Sequence, residues 1–254
     1  MTFKYALVRR PGRSISNGLS TLNLGQPSYP RALAQHDAYV EALQQCGLEV
    51  ICLDPLEEFP DSTFVEDAAV LIKDCAILTA PGASSRRREV AAIAPVLADF
   101  FPEVKGIASP GQLDGGDVMV IDSCLYVGLS GRTNQQGIEQ LSEIVAEQGL
   151  RVSAVPVSGC LHLKTGVTRI AERTLLGTEN LLGFPGFAGF EKITVGADSA
   201  GAANCIAING KLLMPAGFPV IKEMLSGCGR DIIEVDISEF AKIDGGLTCL
   251  SLRF

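Results

Sequence analysis

The stretch DGGDVMVIDSCLYVGLSG (residues 114–131) opens on acid and glycine, then runs through an apolar strand to a short polar turn at Asp122 and Ser123. It returns along a second apolar strand to a glycine. That is the pattern of a β-hairpin. The same design recurs in VEDAAVLIKDCAILTAPG (65–82), LKTGVTRIAERTLLGTEN (163–180) and GAANCIAINGKLLMPAG (201–217), and GGLTCLSLRF (245–254) matches the first half of a fifth copy. The aligned first strand residues are Ala68, Val118, Val167, Cys205 and Leu247. They return every 40–50 residues, roughly, a period that signals a modular array.

Helical periodicity follows three of the hairpins. Val90, Ile93, Leu97 and Phe100 mark the first, Ile138, Leu141 and Val145 the second, and Ile221, Met224 and Leu225 a weaker third. A further helix is expected over residues 30–46, with Pro30 at its start and Gly47 at its stop. Single apolar strands are read at EVICL (49–53), VKGIA (104–108), VSAVPV (152–157) and DIIEV (231–235). The unit is therefore strand, strand, helix, strand, about five times over. The last unit borrows its opening strand from the C-terminus and closes on the N-terminal strand FKYALV (3–8). Units that each bury one face gain by closing on themselves, which removes exposed sheet edges. The expected fold is α/β, five ββαβ modules in a closed ring, with residues 1–254 as one domain. An open α/β sheet is the alternative, but the chain lacks the G-x-G-x-x-G and P-loop signatures of its nucleotide-binding versions.

Bulk properties narrow the function. The chain has 254 residues, 47% of them hydrophobic, enough for a substantial core, and its net charge of −8 argues against a nucleic-acid partner. The N-terminus MTFKYALVRRPGRS has no long apolar segment and no apolar run reaches membrane-spanning length, so a cytoplasmic location is expected. The eight cysteines contain no C-x-x-C pair, and with only His36 and His162 as imidazoles no zinc pattern forms. No metal and no organic cofactor are expected.

Chemistry gathers in the links between modules: FPDSTFVED (59–67), SPGQLDGGD (109–117), VSGCLHLKTG (157–166), VGADSAGAAN (195–204) and EFAKIDGGLT (239–248). They hold Asp61, Glu66, Asp67, Asp114, Asp117, His162, Lys164, Asp198 and Asp244, with Cys249 just beyond. Carboxylates that share one cavity repel unless a cation sits among them, and a guanidinium's planar fork matches paired carboxylates. If adjacent Glu66 and Asp67 are both to point inward, the chain there cannot be a regular strand. A thiolate beside such a cation is a nucleophile, and an imidazole oriented by an aspartate can pass protons to and from it. The ordinary readings are a buried strand thiol for Cys249 and a satisfied core imidazole for His162, and His36 keeps that ordinary reading.

The motifs FPDSTFVED, LDGGD, YVGLSGRTN, LHLKTG, AANCI and the terminal KIDGGLTC together resemble the dimethylarginine dimethylaminohydrolase family, of the guanidine-modifying (pentein) superfamily, over nearly the whole chain. The resemblance implies a pentein-type α/β propeller and hydrolysis of dimethyl- or monomethylarginine to citrulline plus dimethylamine or methylamine, a reaction of arginine metabolism. By the resemblance Cys249 is the nucleophile that forms a thiouronium intermediate, His162 the proton carrier and Asp114 its orienting carboxylate. Glu66 and Asp67 would clamp the guanidinium, Arg86 and Arg132 would bind the substrate carboxylate and Asp61 its amino group. Leu19 would lie on a lid whose hinge is Gly18. Asp117 is left outside the catalytic set, as a liner of the cavity or a support of its loop. The expected partner is a small cationic guanidino compound, without nucleic acid or membrane, in a chain that could form a homodimer. The competing readings are an arginine deiminase or other guanidino-compound hydrolase, and a non-catalytic five-module binding protein.

Overall fold

Two-residue turns make the hairpins. In the computed structural model, which describes residues 2–254, Ile72 pairs with Cys75 across Lys73-Asp74, Ile121 with Cys124 across Asp122-Ser123, and Ile208 with Lys211 across Asn209-Gly210. Asn209 and Gly210 both have positive φ, 46° and 86°, as the favoured hairpin turn requires.

Along the chain, β1 (Tyr5–Arg9) runs parallel to β2 (Glu49–Leu53). The strands β3 (Ala69–Ile72), β4 (Cys75–Leu78) and β5 (Glu103–Gly106) form one sheet, and β6 (Val118–Ile121), β7 (Cys124–Leu129) and β8 (Arg151–Pro156) another. A third contains β9 (Val167–Ala171), β10 (Thr174–Thr178) and β11 (Glu191–Val195), and a fourth β12 (Ile206–Ile208), β13 (Lys211–Pro215) and β14 (Asp231–Val235). Finally β15 (Leu252–Arg253) pairs antiparallel with β1, so the two ends of the chain complete the fifth three-stranded sheet. Each complete module is an antiparallel hairpin followed by a parallel strand.

The helices are α1 (Tyr29–Gln45), α2 (Ala94–Ala98), α3 (Gln135–Ala146), α4 (Leu163–Gly166), α5 (Glu179–Leu182), α6 (Pro219–Leu225) and α7 (Ser238–Ala241). In α3 the buried stripe is Ile138, Leu141 and Val145, and the Asn134 side chain caps the helix by accepting from Gly137 N at 2.8 Å. By contact density the chain divides into two compact units, one of residues up to Val65 with Thr165–Phe254, the other Glu66–Lys164. In the second unit the α3 stripe packs with Leu125 and Val127 of β7 and Ile77 of β4. In the first, Tyr39, Phe240, Leu247 and Leu250 belong to one buried cluster and Ile170, Leu212 and Met214 to another.

Several expectations change. The hairpin strands begin at Ala69, Val118, Val167 and Ile206, within one residue of the reading, but the fifth does not begin at Leu247. Thr248–Leu250 is a 3₁₀ turn and strand pairing waits until Leu252. Asn204 enforces that turn, accepting from Thr248 N at 2.9 Å and donating to its hydroxyl at 3.1 Å. Residues 89–98 are not one helix but a 3₁₀ turn followed by the five-residue α2, whose first turn takes Pro95 as its second residue. Phe100 and Met224, read on apolar faces, are 39% and 48% exposed. Strand β11 went unread, and α5 replaces the missing third helix because Gly183 and Pro185 break the apolar run after it.

Candidate active site

Glu66 and Asp67 lie on the 3₁₀ turn Val65–Ala68, which lets two adjacent side chains turn inward; both are buried. The LDGGD segment folds directly against this turn. A side chain at Gly115 would put its Cβ 1.9 Å from Glu66 O, and one at Gly116 would lie 2.7 Å from both Asp67 Oδ1 and His162 Nδ1. The paired glycines are thus a steric necessity, since backbone must pass where the acids and the imidazole converge. Gly116 N also donates to Asp67 Oδ1 at 2.9 Å.

Asp114 is fully buried, with Oδ2 2.9 Å from His162 Nε2 and Oδ1 accepting from Gly82 N at 2.8 Å. The short aspartate therefore reaches its histidine. On the other edge of the ring, His162 Nδ1 is 3.9 Å from Asp67 Oδ1. Burial works against a charged imidazole here, but Asp67, the bond to Asp114 and the nearby Asp117 outweigh it and lift the His162 pKa to about 9. Burial likewise opposes the Asp67 carboxylate, and His162 with Arg86 reverses that, holding it below its ordinary range.

Each proposed clamp acid carries a cation of its own. Asp67 Oδ2 pairs with Arg86 Nη1, whose Nε donates to Glu89 at 2.9 Å, all three groups buried. Glu66 Oε1 pairs with Lys164 Nζ at 2.6 Å. Lys164 lies in a junction link without an expected role, and Glu89 lies outside those links altogether. The signals were there, in a lysine two residues from His162 and an acid three residues from Arg86. Arg132 is partly buried, its Nη1 4.0 Å from Asp114 Oδ2. Asp67, Asp114 and His162 could each offer a ligand atom within 4.8 Å of the others, although hydrogen bonds among these groups, Arg86 and main-chain N–H already engage them.

In the other compact unit, Cys249 is 7% exposed in the turn Thr248–Leu250, and Gly246 N lies 3.4 Å from its sulfur. Buried Asp61 accepts from Leu19 N at 2.9 Å, joining two of the expected substrate contacts. Leu19 itself is exposed, and its loop is tied down by Ser20 Oγ donating to Lys242 O and by Thr21 N donating to Asp244 Oδ2 at 2.6 Å. A cavity of about 270 Å³ lies under this loop, against Lys242 and Ile243. Gly18 has an ordinary φ of −56°; what it spares is a Cβ 2.9 Å from Ile243. Asp198 is exposed, and His36 is a wholly buried core imidazole.

These features define an α/β pentein fold of five three-stranded modules whose junction loops concentrate buried acids, a histidine and a cysteine. Its likeness to a solved structure is close. The DDAH from Pseudomonas aeruginosa, a C249S mutant complexed with citrulline, matches over 100% of both chains with a TM-score of 0.98 and 42% identity. The family described as N,N dimethylarginine dimethylhydrolase, eukaryotic, matches residues 25–176. The Pseudomonas aeruginosa N(G),N(G)-dimethylarginine dimethylaminohydrolase is 43% identical over 99% of this chain and 100% of its own. The protein of that name from Streptomyces coelicolor is 42% identical over 100% and 98%. The chain belongs to the dimethylarginine dimethylaminohydrolase family.

Proposed function

We propose that this chain hydrolyses N-methylated arginine to citrulline and a methylamine. It is a hydrolase acting on a carbon–nitrogen bond, and its substrate is a small cation carrying a guanidinium. The observation that carries this reading is the buried His162–Asp114 pair beside Asp67, His162 Nδ1 lying 3.9 Å from Asp67 Oδ1, which sets a charged proton donor next to an acid that can attract a guanidinium. It is supported by the relatives' shared name and by the citrulline held in the C249S relative.

In this reading the five modules form one catalytic domain. Asp67 and Glu66 hold the guanidinium, while Arg132 and Arg86 serve the α-carboxylate and Asp61 with Leu19 the α-amino end. The Cys249 thiolate attacks the guanidinium carbon, the bond to the methylated nitrogen breaks, and the departing amine takes its proton from His162. A positively charged thiouronium remains on the sulfur. His162, now neutral, accepts a proton from water as the oxygen adds to that carbon. The carbon–sulfur bond then breaks, returning the thiolate, and one further proton leaves with formation of the citrulline urea group. The eight cysteines, none of them joined in a disulfide, fit a reducing, cytoplasmic setting.

Citrulline release from asymmetric dimethylarginine, monomethylarginine and arginine tests the assignment, with Cys249→Ser as control. Turnover of the methylated compounds by the wild type alone is expected. Turnover mainly of arginine would overturn the substrate, and undiminished turnover by C249S would overturn the nucleophile.

A further inference from the structure

Asp117 is a buried acid to which the proposed chemistry gives no task. It ends the 3₁₀ turn Gly115–Asp117 and has no exposed surface. Its Oδ2 accepts from the Ser130 hydroxyl at 2.6 Å and the Thr133 hydroxyl at 2.7 Å, and its Oδ1 accepts from Leu163 N at 2.9 Å. An anchor for a loop would explain three hydrogen bonds, but the identity of the partners says more. Leu163 is the chain neighbour of His162. Thr133 has one hydroxyl proton, directed at Asp117, and its oxygen accepts from Asp114 N at 3.1 Å. One carboxylate thereby holds the main chain at both members of the 2.9 Å His162–Asp114 pair.

We propose that Asp117 is a positioning residue for this reaction, fixing His162 through Leu163 N–H and Asp114 through the Thr133 hydroxyl. The inference rests on the reading of His162 as the proton carrier. Asp117 touches no substrate in this scheme. Its effect is on the placement of the pair and, by its charge, on the imidazolium, in keeping with the direction of the His162 shift. Removing the charge while keeping the shape tests both, because an amide has one oxygen and cannot accept at both ends.

Asp117→Asn is expected to lower kcat for dimethylarginine about tenfold to a hundredfold, the scale of a small misplacement of reacting groups. KM stays close to wild type. The chain has only two imidazoles, so ¹⁵N-histidine NMR follows both rings, and the His162 titration is expected to move below its wild-type position near 9. A wild-type His162 titration in D117N overturns the proposal whatever the rate, and so does an unchanged kcat. Should D117N fail to fold, Thr133→Val and Thr133→Ser carry the test. The valine is expected to lose about tenfold in kcat while the serine, which restores the hydroxyl, does not; equal rates overturn the proposal. A wild type releasing no citrulline defeats the functional reading instead, and the NMR titration still decides whether Asp117 governs His162.

Discussion

In the proposed chemistry a protonated His162 is the residue on which proton transfer turns. Its position near 9 means that the imidazolium persists through neutral pH and can protonate a departing amine. The activity is therefore expected to fall as pH rises through about 9, in a profile of kcat against pH. Asp114→Asn, which removes the charge beside Nε2, should cost about 10² to 10⁴ in kcat, the usual worth of a positioned acid–base group. Lys164→Met should destabilise the fold by roughly 1.5–3 kcal/mol in urea denaturation, since it removes a charged hydrogen bond of the buried Glu66 carboxylate. At this scale the sequence was legible where a motif has one steric solution. LDGGD is such a motif, because Gly115 and Gly116 leave room for the acids and the imidazole. It was illegible where pairing depends on tertiary placement. Nothing local says that Lys164 meets Glu66, 98 positions away, or that Asp117 reaches Leu163 N.

Among elements, the hairpins declared themselves through alternation and turn chemistry, Asn209-Gly210 being the plainest case. Helix α3 did so through its stripe of Ile138, Leu141 and Val145 and its Asn134 cap. Leu141 is fully buried in that stripe, and Leu141→Ala should cost about 2–5 kcal/mol by chemical denaturation. The turn that carries Cys249 was hidden for a physical reason. TCLSLRF alternates as a strand does, but two hydrogen bonds from Asn204 bend Thr248 out of extended conformation. Local propensity yields here to a contact from 44 residues away.

At the scale of the whole molecule, the two histidines pull stability in opposite directions with pH. Burial presses His36 down to about 4, so below its ordinary value near 6.5 the unfolded chain takes up a proton that the native state refuses. Stability from this site is full above pH 6.5 and is lost as pH falls toward 4. His162 is the reverse. The native state keeps its proton up to about 9, so its contribution is complete below pH 6.5 and is lost as pH rises through 9. Melting temperature across pH should therefore decline on both sides, with His36→Leu relieving the acid side only. The repeated hairpins made the modular plan legible, since four of them show their pattern independently and the fifth sheet is completed by β15 and β1, whereas β11 left no such signal.

The most direct test of the account is intact-protein mass spectrometry of acid-quenched turnover with asymmetric dimethylarginine. Wild-type protein should carry an added mass equal to the substrate less dimethylamine, on the peptide containing Cys249, and Cys249→Ser should carry none. Citrulline released without such an adduct, or an adduct on a different cysteine, would contradict it.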